Sequence, residues 1–121
     1  MQDVSKKKKE VEAFLKSFKE FSQLWGILFL GREKNLQTLA SLEITPVIRE
    51  KILYDLKVTD YSEGPKEEDF HGGKEMWVFG REVKNQEVYI KITLGRPNSQ
   101  TICISFHIAE HPMKYPLKTT T

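Results

Sequence analysis

The chain has 121 residues, 39% hydrophobic and 30% charged, with a formal net charge of +2. That suits one soluble globular domain with its own core. It excludes a membrane-spanning helix, because the longest apolar run, Trp25 to Leu30, is far shorter than a bilayer. No apolar segment of a signal peptide follows the basic N-terminus, so a cytoplasmic protein is expected. The single cysteine, Cys103, excludes an internal disulfide and suits a reducing compartment. Within a strand it reads as a small packed residue.

Lys6 to Lys9 place four cations where they oppose a helix dipole, so residues 1–6 are expected to fray. Val11, Phe14, Leu15 and Phe18 then follow helical spacing and predict an amphipathic helix over about 7–22. Gly26 to Leu30 reads as a strand. Asn35 is a candidate cap for a short helix through Leu36, Leu39 and Ala40. Thr45-Pro46 is a helix start, and Val47, Ile48, Ile52, Leu53 and Leu56 carry that helix to about residue 56. A short strand is expected near 58–62, then an acidic loop through Glu63, Glu67, Glu68 and Asp69 to a mobile His71-Gly72-Gly73. Glu75 to Val83 predicts another strand. A turn around Lys84-Asn85-Gln86 follows.

The stretch from Glu87 to Ile108 carries the most information. Val88, Ile90, Ile92 and Leu94 alternate with Glu87, Tyr89, Lys91 and Thr93. After the turn residues Gly95 to Gln100, Ile102, Ile104, Phe106 and Ile108 alternate with Thr101, Cys103, Ser105 and His107. Strict alternation predicts two strands with one buried face. Two registers keep both apolar sets on that face. One pairs Tyr89 with His107 and Lys91 with Ser105; the other pairs Tyr89 with Ser105 and Lys91 with Cys103. In either, a phenol, an ammonium and an imidazole share the polar face. The competing reading is an ordinary solvated sheet face. A Pro-containing tail, 109–121, is expected to pack down. The whole is read as one α+β domain, 1–121, with helices on one face of a curved antiparallel sheet.

EVYIKITL, a turn, then TICISF resembles the VYLKIT…VSF end of the MqsR family of messenger-RNA-cleaving toxins. LEITPVIREKILYDLKVTDYSE, residues 42–63, is similar without a gap to that family's helix and its Asp-Phe-Tyr segment, and Trp77 matches a tryptophan of the next strand. The similarity covers about residues 10–108. It implies a RelE-like fold and the toxin of a type II toxin–antitoxin system. The activity implied is a cofactor-free, metal-free endoribonuclease acting on mRNA. Its partner would be a cognate antitoxin protein, with DNA approached only through that antitoxin and no membrane involved. The family's tyrosine and lysine are kept as Tyr89 and Lys91. Its terminal lysine is His107 here, a better proton carrier near neutral pH. Its lysine after the Asp-Phe motif is Glu63, and its glutamine after the tryptophan is Val78.

RNA is cut without metal when the 2′-hydroxyl attacks the adjacent phosphate, which needs a base, an acid and cations for the phosphorane. The expected set is His107 as acid or base, Tyr89 as its hydrogen-bonded partner or the opposite proton carrier, Lys91 at the phosphorane, and Glu63 as a possible base standing near His107. Arg81 and Lys84 are expected to bind flanking phosphates. A three-residue turn would put Arg81 beside Tyr89; a two-residue turn would put Glu82 or Lys84 there. Read blandly, Glu63, Arg81 and Lys84 are solvated charges. His107, Glu110 and His111 spell a metal motif that works only on a helix, which Pro112 disfavours. The other class of function is a non-catalytic module binding RNA or protein through the same face.

Overall fold

The computed structural model describes residues 4–67 and 74–118. Helix α1 spans Val4–Trp25, with Val11, Phe14, Leu15, Phe18 and Ser22 buried along one face. Lys6 to Lys9 lie within it. Lys7 pairs with Glu10 at 2.9 Å, which offsets part of the dipole penalty. Gly26 ends the helix at φ 86°, a left-handed value that side chains rarely tolerate. Strand β1 is only Ile27–Phe29, shorter at both ends than the expected 26–30.

Helix α2 is Glu33–Leu42, so Asn35 sits inside it and is not its cap. Helix α3 is Pro46–Tyr54, and the Thr45 hydroxyl accepts from the Ile48 amide at 3.2 Å, the predicted start. A single 3-10 turn, Val58–Asp60, occupies the predicted strand position and delays strand β2 to Tyr61–Lys66. Strands β3 (Met76–Val83), β4 (Gln86–Thr93) and β5 (Thr101–Ile108) follow. The acidic loop expected from Glu63 is strand up to Lys66, and its remainder at 68–73 lies outside the described residues.

The five strands run in the order β1-β5-β4-β3-β2. β1 is parallel to β5 and the other pairs are antiparallel, so the sheet is mixed and not wholly antiparallel. A parallel neighbour needs a long crossover, and α2, α3 and strands β2 to β4 lie between these two strands. One face carries Trp77, Phe79, Val88, Ile90, Ile92 and Phe106 against α1, α3 and Leu42 of α2. Phe14 stacks on Trp77 with centroids 5.0 Å apart.

Two local devices shape the opposite face. Lys91 stands opposite Ser105, yet Ile92 stands opposite Cys103. Ile104 is therefore the extra residue of a β-bulge. Below it the phase of β5 reverses. Thr101, predicted to be solvent-facing, meets Ser22 of α1 with oxygens 2.7 Å apart, and Cys103 joins the core. Ile102 and Ile104, predicted for the core, are buried outside that cluster. The second device is at the edge of β5 beyond β1. Asn35 donates to the carbonyls of Leu30 and Ile104 and accepts from the Phe106 amide, each at 3.0 Å. Thr38 accepts from the Ile108 amide at 3.1 Å. Two side chains of α2 thus replace a neighbouring strand, and α2 docks against the sheet edge.

Candidate active-site cleft

The face away from the main core holds a cleft of about 840 Å³. Its floor is β4 and β5, where Tyr89 stands opposite His107 and Lys91 opposite Ser105. This is the first of the two expected registers, and it holds from Val88–Ile108 up to the bulge. The Tyr89 and His107 rings stack, with centroids 5.1 Å apart and planes 15° apart. Their relation is face to face, and the expected hydrogen bond between them is replaced by this contact. His107 Nδ1 lies 3.0 Å from the carbonyl oxygen of Ile108. A carbonyl only accepts, so in the neutral ring Nδ1 carries the proton and Nε2 the lone pair. Burial lifts the Tyr89 phenol above its ordinary pKa, Lys66 draws it down and Glu63 pushes it up.

Glu63 also lines this cleft, but on its far wall. The ladder runs Glu63, Val78, Lys91, Ser105 across four strands. Three interstrand spacings separate β2 from β5, about 14 Å between backbones. Glu63 does not stand beside His107, and its carboxylate is 2.5 Å from Lys66 Nζ. It is not placed to share a proton with the imidazole.

Arg81 and Lys84 lie elsewhere. Lys84 and Asn85 form a two-residue turn with φ of 49° and 68°, the left-handed pair that a tight hairpin requires. This register puts Gly80 opposite Tyr89, neither Arg81 nor the two residues expected for a short turn. Arg81 pairs with Val88 on the core-facing side. There it reaches Asp55 at 2.6 Å and Asp60 at 2.7 Å. Lys84 donates to the Glu43 carbonyl at 3.1 Å. Neither lines the cleft.

The residues that the alternation could not reveal come from α2 and the tail. Arg32 and Lys34 flank the cleft on one side; Glu110, His111, Met113 and Lys114 close its end. The chain bends at 110–111, so the metal-motif spelling is not helical. Among the described residues no group of three His, Cys, Asp or Glu is placed to hold a metal ion. Glu87 anchors the tail. Its backbone oxygen accepts from the Ala109 amide at 2.8 Å, and its carboxylate accepts from the Met113 amide at 3.0 Å and the Tyr115 hydroxyl at 2.7 Å. The tail then crosses Gly80, where a Cβ would sit 2.5 Å from the Tyr115 oxygen and 2.7 Å from Met113 Sδ. The signals were in the sequence: a charged Glu87 opening an apolar strand, a glycine inside another, and Pro, Met and Tyr in the tail.

Cys103 takes no part. It is fully buried, and burial pushes its thiol up to about 12 despite the pull of Arg49. Among the described residues, no helix is long and apolar enough to cross a membrane. No family model, curated protein or solved structure matches the chain.

Proposed function

We propose that the protein is a metal-free endoribonuclease, the RelE-like, MqsR-like toxin of a type II toxin–antitoxin pair, cutting mRNA by 2′-hydroxyl attack. The observation that supports this most is the Tyr89–His107 pair beside Lys91 on the cleft floor. Nε2 of His107 takes the proton of the 2′-hydroxyl, and the oxygen attacks phosphorus. Lys91 neutralises charge that develops on the phosphorane. Tyr89 positions the imidazole by stacking. Arg32, Lys34 and Lys114 give the walls cations for neighbouring phosphates.

The two departures from the MqsR-like pattern, Glu63 and Val78, are direct neighbours in the ladder. Lys66, paired with Glu63, returns a cation to the same strand, near enough to draw down the Tyr89 phenol. The cognate antitoxin would be a protein able to cover the cleft.

The test is induction of the full chain in cells, wild type beside His107→Ala, with total RNA mapped for new 5′-hydroxyl ends. New ends and growth arrest should appear with the wild type. They should fall on the order of 10²- to 10⁴-fold in the variant, the usual worth of a general base. No new ends from folded wild-type protein would turn the reading to a non-catalytic module that binds RNA or protein on this face.

A further inference from the structure

Cleavage leaves a second proton to be moved. As the 2′-oxygen bonds to phosphorus, the bond from phosphorus to the 5′-oxygen breaks, and that oxygen departs as an alkoxide unless an acid protonates it. His107 cannot both take the first proton and already hold the second.

His111 is four residues beyond His107, within the bend, and both line the cleft. The tail that carries His111 is pinned behind it by the Glu87 carboxylate and by the close approach to Gly80. In front of it, Glu110 reaches Lys34 of α2 at 2.9 Å. This ties the bend to α2. An exposed imidazole is thereby placed at the mouth of the site instead of on a loose end. Its charged surroundings are Arg32 before α2, Glu33 and Lys34 from α2, Glu110 and Lys114 from the tail, and Lys91 from β4. Lys34 holds the Glu110 carboxyl below its ordinary range, and both histidines add to that effect. Glu110 therefore remains an anion beside the bend.

We propose that His111 is the general acid of the reaction, giving its proton to the departing 5′-oxygen while His107 accepts the proton of the 2′-hydroxyl. The products are a 2′,3′-cyclic phosphate and a 5′-hydroxyl, and the two imidazoles exchange protons with water to reset. The assignment rests on the ribonuclease reading above and adds to it a residue on the tail.

The test compares a short RNA with the same RNA carrying sulfur in place of the bridging 5′-oxygen, whose thiolate leaves without protonation. The proteins are the full-length wild type, His111→Ala, His107→Ala and Tyr89→Phe, each with its unfolding midpoint measured. His111→Ala should lose on the order of 10²- to 10⁴-fold on the oxygen linkage and recover to within about tenfold of wild type on the sulfur linkage. It should also lose the alkaline limb of the bell-shaped pH profile. His107→Ala should lose activity on both substrates. If His111→Ala cuts the oxygen linkage at the wild-type rate, or loses both linkages equally, His111 is not the acid and the ribonuclease reading stands. If sulfur rescues Tyr89→Phe instead, the acid is Tyr89. If the wild type cuts neither RNA, the ribonuclease reading fails and this assignment fails with it.

Discussion

Asn35 does the work of a strand with one side chain. Both of its amide protons and its carbonyl oxygen are used, on Leu30, Ile104 and Phe106, and it is almost wholly buried. Replacing it by Leu keeps the volume but strands a buried amide and a buried carbonyl of β5. The cost should be about 2–4 kcal/mol. A urea titration of Asn35→Leu against wild type would read this as a lower midpoint at unchanged slope. As a sequence letter, Asn before an apolar helical run looks like a cap, because short polar side chains favour helix starts. Nothing local distinguishes a cap from a side chain that bonds a strand about 70 residues later. Tyr89, Lys91 and His107 were legible for the opposite reason. Alternation places residues on a face without knowledge of anything distant.

The tail behaves as a separate element held by few bonds. Glu87→Ala removes the acceptor for Met113 and Tyr115, and Gly80→Ala puts a methyl where the Tyr115 oxygen lies. Each should release residues 109–118 and leave the sheet intact. Trypsin cleavage after Lys114 should accelerate roughly tenfold or more. The far-ultraviolet dichroism should stay close to wild type. The existence and type of α1, α3, β4 and β5 follow from apolar period and from Thr45-Pro46, and β3 from a short apolar run without period. The bulge at Ile104 does not. An uninterrupted run of alternating residues hides a one-residue slip, which becomes visible only when Ile92 meets Cys103 and Lys91 meets Ser105. The Arg81 expectation failed on the same kind of parity: a turn one residue shorter than the alternative moved the guanidinium to the other face.

Taken as a whole, the domain joins its helical layer to its sheet partly through Arg81, which reaches the end of α3 at Asp55 and the turn before β2 at Asp60. The hydrogen bond and charge of Arg81 hold the Asp55 carboxyl below its ordinary value. A carboxyl depressed in the folded state stabilises it above the unfolded pKa. That contribution is lost as pH falls through the folded pKa. Acidification below about pH 4 should therefore lower the urea midpoint of the wild type. Arg81→Leu should start lower at pH 7 and lose less between pH 7 and pH 3. The layer architecture was legible, since α1, α3, β4 and β5 each showed one apolar side. The mixed sheet was not, because three residues of β1 carry too little pattern to name a partner. That partner has a consequence in time. Chains are synthesised from the N-terminus, and β1 emerges long before β5, the strand that must enter between β1 and β4. Until residue 101 has been made, β1 has no neighbour in the sheet and β4 keeps an open edge. The floor of the cleft is likewise only half built, with Tyr89 facing no imidazole. A growing chain thus lacks the Tyr89–His107 pair by topology alone, and acquires it in the same event that closes its sheet.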